Sequence, residues 1–357
     1  MTSASQNLER AGEWFLHSGI QEPGGGVARY HLVAEGRNLP VSTEITGYAA
    51  STYAYLYLST GDIVYRQAGE RTADFLLREA WNAQLQTFPF ECSAGSPGYF
   101  FDCGIIIRGL LAVGRITGRQ DYAEAAALCG ESMARDFLTP DAIHPIISLP
   151  DRRPRPYEKR WSREPGCFQL KSALAWRDLA QVTGNQRFQE YWQQALGIAL
   201  RQHDHFLPGT EQMGAVMDRL HAYCYFLEAL LAETHRRECR EALLTGIGRV
   251  SRYLREIRTR FVRSDVCAQL LRVRLHADAL GMVPIDRAEA KEEASALPGF
   301  QYEEGGKRLE GGYSFGRRPD GLLPFANPVS TGFCLQAREQ WRLHQAGEFQ
   351  PRLESLI

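Results

Sequence analysis

The apolar positions of this chain fall into long helical runs of two alternating kinds. The stretches "CGIIIRGLLAVGRI" (103–116) and "AYCYFLEALLA" (222–232) are apolar on nearly every side, which marks helices packed from several directions. By contrast, "DYAEAAALCGESMARDF" (121–137) carries a charged face and belongs on the outside. No strand-like alternation interrupts them, apart from short loop segments such as "GGYSF" (311–315).

The runs repeat. "YLSTGDIVYRQAGERTADFLL" from Tyr57, "GRITGRQDYAEAAALCGESMARDFL" from Gly114 and "AQVTGNQRFQEYWQQALGIAL" from Ala180 share one phrase. In each, an apolar helix stops at Thr-Gly, an aromatic follows four residues after the Gly (Tyr65, Tyr122, Phe188), and an amphipathic helix runs on. Glycine suits a helix stop because it takes the left-handed conformation without penalty. A fourth pair spans 219–257, with Thr234-His235 in place of the glycine. A fifth opens at "SDVCAQLLRVRLHADALG" (264–281), with a weak partner in "IDRAEAKEEASAL" (285–297). "NPVSTGFCLQAREQWRLH" (327–344) is a sixth inner helix with no outer helix after it, and the N-terminal helix around Asn7 to His17 has no inner helix before it. Pairing these two orphans closes the chain on itself. The expectation is an all-α (α/α)6 toroid, a single domain over residues 1–357 with six inner and six outer helices.

The bulk numbers fit such a fold. A length of 357 residues permits two ordinary domains or one large single-core architecture. Hydrophobic residues make up 44% and charged residues 23%, the balance of a globular protein in water. A formal net charge of −1 gives no global field towards nucleic acid, and no apolar stretch approaches the ~20 residues needed to span a bilayer. The first residues lack the apolar core of a secretory signal, and eight scattered cysteines without a CxxC pair read as small buried hydrophobes, so a reduced cytoplasmic setting is expected. The numbers leave a homo-oligomer open.

In a ring of this kind the inner helices run the same way, so their N-termini share one mouth. The long irregular stretches 19–43, 81–100, 138–166, 204–218 and 298–327 gather there too, and their length points to function. The heads of the inner helices carry Glu44, Asp102, Gln169 with Lys171, Asp218 with Arg219 and His221, Asp265, and Asn327 with Ser330. One turn further in stand Tyr48, Tyr225 and Gln269. Several carboxylates and a histidine suit proton transfer at a glycosidic oxygen or beside a carbonyl, which makes Glu44, Asp102, His221 and Asp265 the candidate catalysts. Tyr48, Trp161, Lys171, Arg219, Tyr225, Gln269, Tyr313 and Asn327 are the candidate substrate contacts. Each has a bland alternative: Asp102 and Asp265 as helix caps, His221 as a satisfied core histidine. Ser42 or Thr43 would cap the helix that Glu44 heads. The loop "DRRPRPYEKRWSR" (151–163) sets six basic residues against two acids, either as a solvated loop or as a contact for an anionic substrate such as a uronate or phosphate. His221 and Cys224 at i,i+3 are too few for a zinc site, so no obligatory metal or cofactor is expected.

Five segments together, "STEITGY" (42–48), "YFFDCGIIIRGLLAVGRITGRQDYAEAA" (99–126), "RLHAYCYFLEALL" (219–231), "SDVCAQLLRVRL" (264–275) and "GLLPFANPVSTGFCLQA" (321–337), carry a resemblance. In order, they resemble the helix-start motifs of bacterial (α/α)6 toroid proteins associated with glycan biosynthesis. More distantly the chain is similar to six-hairpin glycosidases and epimerases: unsaturated glucuronyl hydrolases, N-acylglucosamine 2-epimerases and the toroid of glucuronyl C5-epimerases. The paired histidines that the 2-epimerases would imply are not evident. The resemblance implies the fold and a carbohydrate-active enzyme of hydrolase, lyase or epimerase type, with acidic or histidine catalysts at the mouth. Two other readings stand beside it: a non-catalytic glycan-binding scaffold of polysaccharide biosynthesis, and a terpenoid-cyclase-like toroid.

Overall fold

The computed structural model describes residues 3–207 and 213–357. The chain divides into two compact units. One consists of Gln21–Arg29, Pro40–Gln202 and Glu354–Ile357, the other of Met1–Ile20, Tyr30–Leu39 and His203–Leu353. The part of the expected loop 204–218 that covers 208–212 lies outside the described residues.

The first unit holds three helix pairs: α2 (Thr43–Thr60) with α3 (Ile63–Phe75), α4 (Phe100–Thr117) with α5 (Gln120–Phe137), and α6 (Leu170–Thr183) with α7 (Gln186–Gln202). Helices α2, α4 and α6 are buried over most of their surface, while α3, α5 and α7 bury one face against them. Each pair turns at the Thr-Gly phrase. Gly61, Gly118 and Gly184 take φ of 74°, 77° and 72° and return their N–H to the preceding turn. The threonine has a second job that its place in the phrase hides. Thr60, Thr117 and Thr183 each donate to the carbonyl four residues back at 2.7–2.8 Å, and each hydroxyl accepts the N–H two residues on at 3.2–3.3 Å. The aromatics Tyr65, Tyr122 and Phe188 are all buried beneath the turn.

Glycines let the inner helices touch backbone to backbone. A Cβ on Gly109 would lie 2.4 Å from the Gly47 carbonyl oxygen, and one on Gly104 would lie 2.4 Å from that of Ser172. These contacts lock α2 against α4 and α4 against α6, and so fix where the heads of α2 and α4 stand. A two-stranded ladder, β3 (Gly98–Tyr99) on β4 (Ile146–Ile147), leads directly into α4.

The second unit holds α8 (Met213–Leu230) with α9 (Arg237–Ile257), α10 (Ser264–Ala279) with α11 (Arg287–Ala296), and α12 (Pro328–Gln345). The N-terminal helix α1 (Ser3–His17) packs on α12, so the two orphans of the sequence do meet. Two small sheets accompany them: β1 (His31–Leu32) between β2 (Arg37–Asn38) and β8 (Phe325–Ala326), and β6 (Gly316–Arg318) between β5 (Val262–Arg263) and β7 (Gly321–Leu322). Helix α8 begins at Met213, so Asp218, Arg219 and His221 stand one to two turns inside it rather than at its head. Among the described residues no helix is long and apolar enough to cross a membrane, and all eight cysteines are free, seven of them buried.

Candidate active site

The first unit gathers chemistry at the heads of α2 and α4. The segment 27–29 pairs with 40–42 (Ser42 N–H to the Val27 carbonyl 3.1 Å, Arg29 N–H to the Pro40 carbonyl 3.1 Å), which sets Arg29 beside the start of α2. Ser42 is the N-cap, its hydroxyl 3.5 Å from the Ile45 amide, and Thr43 donates to the Pro89 carbonyl at 2.8 Å. Capping is therefore done without Glu44. Tyr99 is the N-cap residue of α4 and caps with no side-chain bond, and the Asp102 Oδ2 is buried with no hydrogen-bond partner. Neither acid is the N-cap residue of its helix, and Asp102 takes a backbone hydrogen bond only from its own amide.

Their electrostatics follow from that. Burial pushes the half-buried Glu44 carboxyl up to about 7, with Arg29 pulling partly the other way. Burial, and then the neighbouring Glu44, raise Asp102 well above the ordinary carboxylate range. With Glu44 acting on Asp102 in this way, the two acids titrate as a pair. Arg29 is itself held by Glu91 at 2.6 Å and lies 4.9 Å from the Phe90 ring centroid. Phe90 packs on Tyr99, ring centroids 5.1 Å apart. Arg29, Phe90 and Tyr99 were not singled out in the sequence. Only their nearness in the chain to the helix heads hinted at them.

Expected residues of this unit divide. Trp161 is half-buried and meets Phe168 edge-on at 5.2 Å, and Phe168 in turn lies 6.0 Å from Phe101 beside the head of α4. Tyr48 is buried in α2. Lys171 is wholly buried and donates to the Ile357 carbonyl at 3.1 Å, so it holds the chain rather than facing a ligand.

The second unit carries a different constellation. His221 Nδ1 lies 2.7 Å from Gln269 Oε1 and 3.4 Å from Asp265 Oδ2. Two acceptors on one nitrogen place the proton on Nδ1 and leave Nε2 as the basic site. Burial lowers the imidazole to about 4, partly offset by Asp265, so His221 is neutral at pH 7. Asp265 receives a fork from Arg263, Nε at 2.9 Å and Nη2 at 2.6 Å, and Arg263 reaches Asp218 at 2.6 Å through Nη1. Burial alone would raise Asp265, but the Arg263 guanidinium and His221 hold it below the usual range. Asp265 is thus an ionised anchor behind His221, not an acid. Tyr225 meets the His221 ring edge-on at 4.5 Å. Arg263 was missed in the sequence, although it stands two residues before Asp265.

Three further expected contacts of this unit have other uses. Asn327 caps α12, accepting from the Val329 and Ser330 amides at 2.9 and 3.1 Å. Tyr313 is fully buried with its hydroxyl 2.7 Å from Arg338. Arg219 braces the Phe206 carbonyl at 3.0 Å. A cavity of about 260 Å³ opens between α9 and α11, bridged by the pairs Arg255–Glu289 and Arg258–Glu292, and none of the expected residues lines it. Among the described residues, no three His, Cys, Asp or Glu side chains are grouped as metal ligands.

No family model matches the chain, and no curated protein matches its sequence. Solved structures do match. A cellobiose 2-epimerase from Spirochaeta thermophila is similar with a TM-score of 0.71 at 16% identity, over 97% of this chain and 98% of that one. A sugar epimerase from a ruminal bacterium gives 0.69 at 12% identity, covering 94% and 98%. A D-mannose isomerase gives 0.69 at 8%, covering 97% and 98%. At these identities the likeness carries the fold, and it is the one expected from the helix repeat: an (α/α)6 toroid of the six-hairpin kind.

Proposed function

We propose that the chain is a carbohydrate-active enzyme that moves protons with Glu44 and Asp102. The observation that carries this reading is the pair itself: two acids at the heads of adjacent helices, neither capping its helix nor forked by a cation, each raised by burial. A stable fold has no need of such a pair, since burying ionisable carboxyls weakens it unless each is fully paired. Asp102, raised well above the ordinary carboxylate range, is suited to serve as acid, while Glu44, near 7, exchanges readily and serves as base. The fold's likeness to sugar epimerases and a mannose isomerase supports a sugar as substrate. A reducing, cytoplasmic setting suits the free thiols.

A second reading is favoured by the His221 arrangement. A neutral imidazole with Nδ1 fixed by Gln269 and Asp265 presents Nε2 as a base for proton abstraction beside a sugar carbonyl. One experiment tests both. Purified protein is incubated in D2O with aldoses and disaccharides, and products are followed by NMR for turnover and for deuterium at the carbon next to the carbonyl. Loss of turnover by about 10²–10⁴-fold in E44Q and D102N supports the first reading. Deuterium incorporation that vanishes in H221N supports the second. Unchanged turnover in E44Q and D102N rejects the acid pair.

A further inference from the structure

The basic segment 151–163 is placed by the fold at the head of α4. Residues 146–155 form a hairpin: Ser148 N–H donates to the Arg153 carbonyl at 2.8 Å and Arg155 N–H to the Ile146 carbonyl at 3.0 Å, with Ile147 bridged to Pro154. Ile146 is in turn the ladder partner of Tyr99. The order across this small sheet is therefore Tyr99, Ile146, Arg155. The chain then runs past Tyr157, whose hydroxyl is 2.7 Å from His144 Nδ1, to Trp161 against Phe168.

Several of these arginines have their charge committed elsewhere. Arg152 lies 3.9 Å from Asp136, Arg153 lies 3.8 Å from Asp151, and Arg163 pairs with Glu158. Among the described residues, the exposed Arg155 side chain donates only to the Ser148 hydroxyl at 3.1 Å and the exposed Arg160 makes no ion pair. Arg155, Arg160 and Arg163 all act on the Tyr99 hydroxyl, pulling it down against burial and Asp102, which raise it. The loop guanidinium groups and the Asp102 carboxyl therefore both lie near that hydroxyl. The half-buried rings of Phe90 and Tyr99 lie 5.1 Å apart, and the half-buried Trp161 packs on Phe168.

We propose that the substrate taken at the head of α4 is an anionic sugar, its carboxylate or phosphate held by Arg155 and Arg160 with support from Arg163, beside the Phe90–Tyr99 surface and next to Asp102. Guanidinium groups match both anions through paired N–H bonds, and aromatic faces suit the apolar side of a sugar ring. Burial and Glu44 raise the Asp102 carboxyl and so favour its uncharged form, which weakens its repulsion of such a ligand. The assignment of substrate class rests on the acid–base reading only for the chemistry that follows binding.

Saturation-transfer NMR and calorimetry on the full chain give the test, with cellobiose as neutral probe, cellobiouronic acid as carboxylate probe and glucose 6-phosphate as phosphate probe. Wild type is expected to prefer an anionic probe over cellobiose by roughly tenfold or more. That preference should shrink as salt is raised and disappear in R155Q/R160Q, whose side chains are exposed and whose melting temperature should match wild type. Whichever anion binds tighter identifies the group recognised. Equal affinity for neutral and anionic probes, or a preference that survives R155Q/R160Q, overturns the proposal. E44Q and D102N separate the two ideas: a preference retained in variants with unchanged turnover sinks the acid pair and keeps the arginine site. A lost preference with acid-dependent turnover does the reverse.

Discussion

Gln269 accepts the Nδ1 proton of His221 at 2.7 Å while its own amide nitrogen is buried without a hydrogen-bond partner. The amide is thus turned to serve the imidazole at the expense of its own donor, which a purely structural glutamine would have little reason to do. His221 should titrate near 4 in an NMR pH series, since burial outweighs Asp265. Gln269→Glu places a second carboxylate on Nδ1 and should raise that value by more than about one unit. A histidine titrating near 6.5 in wild type would contradict the buried, neutral assignment.

Glu44 and His221 drive stability in opposite directions with pH. His221 has a folded value below its unfolded one, so stability is lost as pH falls from about 6.5 to about 4, by on the order of 3 kcal/mol at most. Glu44 has a folded value above its unfolded one. Its contribution is most favourable below pH 4.5 and declines as pH rises to about 7. Glu44→Gln should therefore stabilise the protein above pH 7, by on the order of 2 kcal/mol after allowance for its partial exposure, and leave it unchanged near pH 4. Urea unfolding at the two pH values measures this. Equal effects at both would show that Glu44 is not a buried charge.

The helix pairs were legible because each carries its own punctuation. Thr-Gly with a buried aromatic four residues on is a local signal, and Gly61, Gly118 and Gly184 adopt the conformation that it demands. The acids were legible as candidates because Ser42, one of the two cap types beside Glu44, takes the capping role. What stayed hidden depends on contacts far apart in the chain. Lys171 looks like a cation at a helix head until the Ile357 main-chain oxygen, 186 residues on, is seen to accept its hydrogen bond. Asn327 reads in the sequence as a ligand contact, and only the Val329 and Ser330 amides show it capping α12. Arg29 has no motif at all. Its place comes from strand-like pairing of 27–29 with 40–42, which no helical period announces.

Arg263 holds two acids at once, Asp265 through a fork and Asp218 through its third nitrogen, and its guanidinium sits 4.2 Å from the Phe315 centroid. Arg263→Gln leaves Asp265 buried without its counter-charge, which should cost about 3–5 kcal/mol in unfolding free energy. Asp265→Asn in the same background should recover part of that loss, since it removes the stranded charge. If R263Q costs less than about 1 kcal/mol, the fork is a surface-grade pair and cannot be what fixes His221.

Two glycines, Gly104 within α4 and Gly118 at its C-cap, separate local strain from site geometry. Gly118 has φ of +77° with open space around a would-be Cβ, so Gly118→Ala carries backbone strain alone, about 1–2 kcal/mol. Gly104 is mid-helix, and its added Cβ would meet the Ser172 carbonyl oxygen at 2.4 Å and the Ser172 Cβ at 2.5 Å. That clash is with backbone and cannot relax by a rotamer change, so α4 must move against α6, at about 1–3 kcal/mol. Asp102 lies two residues before Gly104 and moves with it. Both variants should therefore melt lower, but only Gly104→Ala should also lower kcat, with Gly118→Ala keeping wild-type turnover on any substrate found by the D2O screen. Equal loss of kcat in both would mean that activity follows global stability and that the α4–α6 contact does not position Asp102.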